Sequence, residues 1–193
     1  MDRSALTNSE KITPAVNHIR EERPGDSLAI DEVLRQAFGQ DDEARLVREL
    51  RDGGFNLLSL VAVQGEQIVG HLLFTSLPIV GDTRTWNAVA LAPLAVSPAF
   101  QKTGIGTTLM VEGLKQLKAC GETIVVVLGH DSYYPRFGFT AELAKPLLGP
   151  FSGPHWMAIE LQPGALSGVS GRVLYAPPFG IPLHSESLPE HRV

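Results

Sequence analysis

The 193 residues suit a single domain, and a hydrophobic content of 44% is enough for a buried core, which excludes a disordered chain. The net charge of −5 disfavours nucleic-acid binding, which usually needs a basic face, and is compatible with a cationic amine as partner. A single cysteine excludes an internal disulfide, and we expect neither a membrane span nor a signal peptide, so the predicted location is the cytoplasm.

The first part of the chain predicts one strand and two helices behind a polar segment. Residues 1–17 have no period that would bury a face, so we expect a mobile tail. A strand is predicted at 18–22, and Asp26 or Ser27 caps the first helix. The second helix starts at the acidic residues 41–43, where the helix dipole favours negative charge. The residues predicted to face inward in the two helices are Leu28, Ile30, Val33, Leu34, Ala37, Phe38, Leu46, Val47 and Leu50.

Three strands are predicted next. Residues 57–63 and 68–80 flank the turn 64–67, so we expect them to pair as an antiparallel hairpin. A third strand is predicted at 86–96. Because the last two of these strands are apolar on both faces over part of their length, both are placed inside the sheet.

A helix predicted from Gly104 to about Cys120 is apolar on one side only. Cys120 falls on the apolar side and is therefore expected to be buried. An apolar strand follows at 123–128, and a strand, a helix and a second strand over this distance predict a parallel pair with a right-handed crossover. Ligands of such units bind beyond the carboxyl ends of the strands, which places the Gly104 loop and residues 129–131 at one edge.

The turn that enters this helix is suited to a phosphate group. Gly104 and Gly106 leave the backbone accessible, and the N–H groups at the start of a helix lack partners and favour negative charge. The turn is not a Walker loop, because Thr107 and Thr108 stand where Lys and Ser or Thr would follow the last glycine. Leu109 replaces the third glycine of a dinucleotide fingerprint. On this turn alone, an ordinary glycine-rich helix start is the alternative.

The C-terminal third predicts less regular structure. A single helical turn that Gly138 ends is followed by a loop at 145–154 and a last strand at 155–161. The remainder is rich in proline and is expected to wrap as coil. The expected division is a tail at 1–17, one domain at 18–162 and a packed C-terminal coil at 163–193.

Two motifs resemble the signatures of the GNAT family of N-acetyltransferases. The segment Gln101-Lys102-Thr103-Gly104-Ile105-Gly106 matches the family's acyl-CoA diphosphate loop, Gln/Arg-x-x-Gly-x-Gly/Ala. Tyr134-Pro135-Arg136-Phe137-Gly138-Phe139 matches its second signature, Tyr-x-x-x-Gly-Phe, in the expected order along the chain. The resemblance spans about residues 18–162. The doubled tyrosine at 133–134, the Phe-Gly-Phe ending at 137–139 and the tail with Pro163-Gly164-Ala165-Leu166, Gly171 and Tyr175 look most like the YhbS-type branch, which has few assigned substrates. It implies a mixed α/β fold with a mostly antiparallel central sheet, a splayed parallel strand pair and flanking helices.

The resemblance also implies acetyl-CoA as co-substrate and direct attack by a primary amine. The strand Leu94-Ala95-Val96 would pair with the amide arm of pantetheine, and the N–H of Ala95 or Val96 would donate to the thioester oxygen. Tyr134 is the candidate general acid, because a phenol of ordinary pKa near 10 is protonated at neutral pH. Tyr133, or a packing role for Tyr134, is the alternative. The residues that would hold the diphosphate are Gln101, Lys102, Thr103, Gly104, Ile105, Gly106 and Thr107.

The general base stays open at this stage. His71 lies in the second strand of the hairpin and His130 at the end of the buried strand, and either could accept a proton near neutral pH. Glu43 and Glu66 are further candidates, and a chain of water molecules could replace them all. The histidines show no ligand spacing with acidic residues or the cysteine, so no metal is predicted.

The acceptor is expected to be the amine of a small molecule or a peptide, bound between the first two helices around 38–43 and the loop 145–154. Arg136 could reach a phosphate, but a surface salt bridge is the expected role. We expect no nucleic acid and no membrane as partner, and either a monomer or a homodimer. Two alternatives remain: a non-catalytic acyl-CoA-binding regulatory module on the same fold, which would not need Tyr134, and a nucleotide-binding protein with an unusual loop.

Overall fold

A six-stranded mixed sheet forms the centre of the computed structural model, which describes residues 18–181. The tail predicted at 1–17 lies outside the described residues. In chain order the elements are β1 (His18–Glu21), α1 (Ser27–Phe38), α2 (Asp42–Asp52), β2 (Asn56–Gln64), β3 (Gln67–Ser76), β4 (Ile79–Val80), β5 (Thr85–Trp86), β6 (Val89–Val96), α3 (Ile105–Ala119), β7 (Ile124–Leu128), α4 (Ala141–Ala144), β8 (Leu147–Leu148), β9 (Trp156–Glu160) and β10 (Gly171–Val173).

The main sheet has the strand order β1-β2-β3-β6-β7-β9, and its neighbouring strands are antiparallel except for β6 and β7. The predicted hairpin forms between β2 and β3, and α3 joins the parallel strands β6 and β7. The central strands are largely buried because other elements cover both faces. The predicted fold class is therefore confirmed.

Different elements cover the two faces of the main sheet. Helix α3 packs on the face that carries Leu60, Leu72 and Val125, here called the α3 face. Helices α1 and α2 pack on the opposite face, which carries Val61 and Leu73 and is called the α1/α2 face. Near β7 and β9 that opposite face is covered by a second sheet with the order β5-β4-β10-β8.

Two strands predicted as continuous are each interrupted. The strand predicted at 68–80 breaks at Pro78, which separates β3 from β4, because proline has no N–H to donate to a ladder. The strand predicted at 86–96 is divided between β5 and β6. Just after β3 and just before β6, the Leu77 N–H donates to the Ala88 carbonyl at 2.8 Å. The short pieces β4 and β5 leave the main sheet and build half of the second one.

The regions predicted as loop and coil also contain strands. β8 lies within the predicted loop 145–154, and β10 lies within the predicted coil 163–193. Both are only two or three residues long and pair with each other in the second sheet. Strands of this length are too short to show an alternating pattern, so the sequence gives little signal for them.

Burial departs from the helical prediction at three positions. Leu28 is 84% exposed because it lies about half a turn away from the buried Ile30 and Val33. Phe38, at the end of α1, is 41% exposed. Cys120, predicted as buried, is exposed, because it caps the end of α3 and lies beyond its last full turn.

Candidate active site

The parallel strands β6 and β7 separate after three residue pairs. Residues 89–91 pair with 125–127, whereas β6 runs on to Val96 with no partner on that side among residues 18–181. A β-bulge marks the separation, because residues 92–93 together fall opposite the single residue Leu73 of β3. The splay that the resemblance implied is therefore present.

The gap opens into a cavity of about 660 Å³. Nine of the ten residues predicted to bind the cofactor line it, together with six others. The lining comprises Ala37, Phe38, Leu94, Ala95, Val96, Phe100, Gln101, Lys102, Gly104, Ile105, Gly106, Thr107, His130, Tyr133 and Arg136. The tenth, Thr103, instead donates its hydroxyl to the Phe100 carbonyl at 2.6 Å and so braces the loop.

The free edge of β6 offers backbone groups to this cavity. Ser97 N–H donates to the Val69 carbonyl on the β3 side at 2.9 Å. Because successive residues of a strand point their N–H and C=O groups to opposite sides, Ala95 also faces β3, while Leu94 and Val96 face the gap. The Val96 carbonyl accepts a bond from the Gln101 amide at 3.0 Å, which ties the loop to the strand.

The start of α3 presents unpaired N–H groups to the same cavity. Thr108 N–H donates to the Gly104 carbonyl, but the N–H groups of residues 104–107 have no backbone acceptor among the described residues. Gly104 has φ +94°, a left-handed conformation that glycine adopts without steric cost. Lys102, at φ +62°, also adopts a left-handed conformation. The N–H groups and the helix dipole together favour an anion at this position.

Tyr133 forms part of the cavity wall beside the helix start. A Cβ added at Gly106 would lie 2.9 Å from the Tyr133 hydroxyl oxygen. This hydroxyl is shielded from solvent and has no partner with hydrogen-bond geometry in the described chain, although Thr107 is near enough to lower its pKa. Burial is the larger effect and raises the pKa of Tyr133 above its ordinary value. The Arg136 guanidinium lies over the Tyr133 ring, 4.5 Å from its centre.

Tyr134 is more deeply buried than Tyr133. Its ring lies in the apolar cluster of the α3 face, with its centre 5.8 Å from that of Phe139. A Cβ added at Gly129, directly after β7, would lie 2.2 Å from this ring, so the glycine allows the tyrosine to approach the strand end. Burial raises the pKa of Tyr134 to about 12, which keeps its hydroxyl protonated at neutral pH.

His71 lies outside this cavity, in a polar network on the α1/α2 face. Its Nε2 is 2.9 Å from the Ser59 hydroxyl, which donates to Glu22 at 2.5 Å, and Arg51 donates to the same carboxylate at 2.7 Å. His71 is fully buried, and its Nδ1 has no hydrogen-bond partner among residues 18–181. Burial and, secondarily, the charge of Arg51 lower the pKa of His71 to about 3.

The other candidate bases lie at different positions. His130 lines the cavity. Glu66 lines a separate cavity beside the hairpin turn. Glu43 is at the surface of α2 and accepts a bond from the Gln40 side chain at 3.2 Å. Of the four side chains named from the sequence, the structure therefore brings only His130 to the gap between β6 and β7.

The acceptor region predicted from the sequence is divided in the structure. Phe38 lines the main cavity, but residues of the loop 145–154 line another one, of about 510 Å³, with no lining residue in common. The two predicted walls therefore do not enclose one pocket.

Three features, two at the cavity wall and one in the buried network, were not predicted from the sequence. Arg136, expected in a surface salt bridge, forms none within the described part of the chain and instead stacks on Tyr133 at the cavity wall. Phe100 also contributes to that wall. Ser59 belongs to the buried network, and its signal in the sequence is a single hydroxyl within an otherwise apolar strand.

Two features are absent from the described residues, a cluster of metal ligands and a helix suited to crossing a membrane. Between residues 18 and 181, no group of three or more His, Cys, Asp or Glu side chains is placed to hold a metal ion. Over the same residues, no helix has the length and apolar character that crossing a membrane requires.

Known proteins resemble this chain over most of its length. The acetyltransferase (GNAT) domain family matches residues 18–141. Escherichia coli K12 YhbS, described as an uncharacterized N-acetyltransferase, is 38% identical over 160 residues, which are 81% of this chain and 95% of YhbS. The crystal structure of E. coli YhbS in complex with CoA superposes with a TM-score of 0.78 at 36% identity, covering 84% of this chain and 91% of that one. A GNAT family acetyltransferase from Brucella melitensis, crystallised with acetyl-CoA, gives a TM-score of 0.70 at 34% identity, covering 84% and 97%.

Proposed function

The chain belongs to the GNAT family of acetyltransferases, and from that premise we propose that it transfers an acetyl group from acetyl-CoA to a primary amine. The observation that carries the proposal is the gap between β6 and β7, which has a free strand edge on one side and a free helix start at its end. The E. coli and B. melitensis proteins, which resemble this chain over 84% of its length, were crystallised with CoA and acetyl-CoA, and this supports the same donor here.

The free edge of β6 is proposed to hold the pantetheine arm. The Val96 N–H would bind an amide of the arm, as an added strand would. The Leu94 N–H, which is nearer the bulge, would donate to the thioester oxygen. Ala95 is not proposed for this role, because its N–H faces β3. A donor aimed at the developing negative charge on that oxygen is typically worth about 3 kcal/mol.

The start of α3 is proposed to bind the diphosphate. Residues 104–107 would donate their free N–H groups to its oxygens. Lys102 and Arg136 line the same cavity and would add positive charge. Gln101 contributes by position, because its side chain fastens the loop to the end of β6.

Tyr134 is proposed as the general acid that protonates the departing thiolate. Its place in the motif and its position beside Gly129, at the end of β7, support this role. With a pKa of about 12 the phenol is a weak acid, but the same apolar surroundings also raise the pKa of a thiol, which favours proton transfer to the sulfur.

The amine is proposed to attack the thioester directly, without a covalent enzyme intermediate. Cys120 is at the opposite end of α3 from the phosphate site, about 22 Å away by the rise of the 15-residue helix. His71, with a pKa of about 3, is too weak a base to deprotonate an ammonium group. We therefore assign proton removal to water that enters the open cavity beside Phe38, where we also expect the acceptor, acting either alone or through His130, which lines the same cavity.

Two measurements test this proposal. Thermal shift should show greater stabilisation by CoA than by an equal concentration of ATP, and stabilisation by ATP alone would favour a nucleotide-binding protein. A panel of primary amines with acetyl-CoA should include at least one that raises the release of free thiol above the rate without amine. Binding of CoA with no amine-dependent thiol release would favour the non-catalytic regulatory module.

A further inference from the structure

The two adjacent tyrosines have different environments, and only Tyr133 lines the donor cavity. Its hydroxyl lies at the first turn of α3. A Cβ added at residue 106 would stand 2.9 Å from the hydroxyl oxygen and 3.8 Å from a methyl carbon of Val96. The hydroxyl therefore lies beside the helix start proposed for the diphosphate, in the cavity that the end of the strand proposed for pantetheine also lines. The group of CoA at the junction of these two parts is the phosphate that carries the pantetheine arm.

Within the described chain the hydroxyl also has no partner with full hydrogen-bond geometry, and the one side chain near enough to lower its pKa by hydrogen bonding, Thr107, itself lines the phosphate site. A buried polar group without a hydrogen bond costs free energy, so such a group in a cavity wall indicates a donor or acceptor supplied by a ligand. The ring that carries it is held by three neighbours: the Tyr134 ring, in a T-shaped arrangement at 5.1 Å, Phe137 at 5.4 Å and the Arg136 guanidinium at 4.5 Å. The hydroxyl is therefore preorganised.

Gly106 provides a second and independent observation. Its φ is not in the left-handed region, so the backbone does not require glycine at this helical position. The nearest atom that an alanine Cβ would meet is the Tyr133 hydroxyl oxygen, at a distance that Cβ atoms essentially never show. The second glycine of the first motif, Gly106, is therefore needed to leave room for the hydroxyl group of Tyr133, the residue just before the second motif.

We propose that Tyr133 is a donor-binding residue whose hydroxyl donates a hydrogen bond to the pantetheine-linked phosphate of acetyl-CoA, and that Gly106 is required because it makes room for that hydroxyl. The proposal rests on the acetyl-CoA function argued above. It separates the two tyrosines, because Tyr133 binds the phosphate and Tyr134 serves the sulfur.

A double-mutant cycle on CoA affinity tests the proposal, with the dissociation constant measured by calorimetry. Tyr133→Phe should weaken CoA about 10-fold, which is typical of a lost bond to a charged group. Gly106→Ala should weaken CoA about 3- to 10-fold by displacing the hydroxyl, while helix propensity protects the fold. In the Tyr133→Phe background the same alanine should cost less than about twofold, because the atom it meets is gone. Fully additive losses would overturn the proposed role of Gly106.

Shortened ligands identify the group that Tyr133 contacts. Tyr133→Phe should weaken 4′-phosphopantetheine by about the same factor as CoA and leave pantetheine, which has no phosphate, unchanged. Equal loss for pantetheine would place the contact on the arm and refute the phosphate assignment. Tyr175→Phe removes another buried phenol, packed between Phe151 and Phe179, and should leave all three affinities unchanged.

This design separates the inference from the function on which it rests. If the wild-type chain binds no CoA, the proposed acetyl-CoA function fails. If it binds CoA and Tyr133→Phe binds equally well, only the role of Tyr133 fails.

Discussion

The two faces of the central sheet carry different kinds of polar structure. On the side of α3, the gap between β6 and β7 is lined by backbone amides and glycines that face an open cavity. On the α1/α2 face, Glu22, Ser59 and His71 form a network that joins the segment after β1 to β2 and β3, with Arg51 at its end. The first arrangement leaves donors free for a ligand, whereas the second places a titratable ring in the protein interior.

The difference shows how the two faces depend on the sequence. A binding site made of backbone N–H groups needs only a strand that extends beyond its neighbour, a tight turn and a helix start. A six-residue motif is therefore enough to indicate it. The buried network needs side chains from β2, β3 and the segment after β1, separated by up to 49 residues in the chain between Glu22 and His71. We therefore expect changes at the gap to act on acetyl transfer, and changes in the network to act on stability.

The largest effect is expected at the sulfur end of the gap. Tyr134→Phe should lower kcat by about 100-fold or more, because general acids typically contribute 10²- to 10⁴-fold. The dissociation constant of CoA should stay within about twofold, since the ring remains in place. The measurement is acetyl transfer to the best amine of the panel, beside calorimetry with CoA.

Two matched variants make this result specific to the site. Tyr133→Phe should change CoA affinity far more than kcat, and Tyr175→Phe should change neither. If Tyr133→Phe loses kcat and Tyr134→Phe does not, the acid has been assigned to the wrong tyrosine. If both variants keep full turnover, no phenol of this pair is the acid.

The second effect belongs to the opposite face and concerns stability. The pKa of His71 is about 3 in the folded chain and near 6.5 when unfolded, so below pH 6.5 the unfolded chain binds more protons. The contribution of His71 to stability should level off above that pH and fall as the pH is lowered toward 3. Between pH 6.5 and 5 the loss should be about 1–2 kcal/mol, measured by urea unfolding.

The slope of the free energy of unfolding against pH, compared between variants, assigns this loss to His71. His71→Gln lowers stability at every pH but should remove the part of the pH dependence that the imidazole causes. His130→Gln, at the exposed end of β7, should keep the wild-type slope. An unchanged slope in His71→Gln would show that other groups cause the acid sensitivity.

The sequence predicts the parts of this molecule that depend on local pattern. The strand, turn and helix around Gly104 are all signalled within about 25 residues, so the parallel pair and its loop could be predicted. The second sheet could not, because β4, β5, β8 and β10 are two or three residues each and β10 pairs with β4 and β8 over long separations. The stacking of Arg136 on Tyr133 was missed because no sequence pattern shows which surface a short 3₁₀ turn presents.

The third effect is expected at the start of α3. Gly104→Ala places a Cβ at φ +94° and should cost about 1–2 kcal/mol of stability and weaken CoA about 10-fold, because the strained turn moves the free N–H groups. Gly121→Ala is a close match at the other end of α3, with φ +90° and open space around the added carbon. It should cost similar stability and leave CoA affinity unchanged. Equal losses of affinity in both would mean that the helix as a whole, rather than its first turn, controls binding.

The smallest effect concerns the charge at the cavity wall. Arg136→Ala should weaken CoA about 5-fold at low salt and less at 0.5 M salt, because the exposed guanidinium acts on the phosphates through a screened interaction. Arg84→Ala removes a guanidinium that lies 4.6 Å from the centre of the Trp86 ring, almost the same stacking geometry, in the second sheet. Isothermal titration with CoA at two salt concentrations compares the pair. If Arg84→Ala matches Arg136→Ala, net charge explains both. A loss of CoA affinity in Arg136→Ala that persists at high salt would indicate that the guanidinium acts mainly by holding the Tyr133 ring. The effect of Arg136 would then be part of the proposed role of Tyr133.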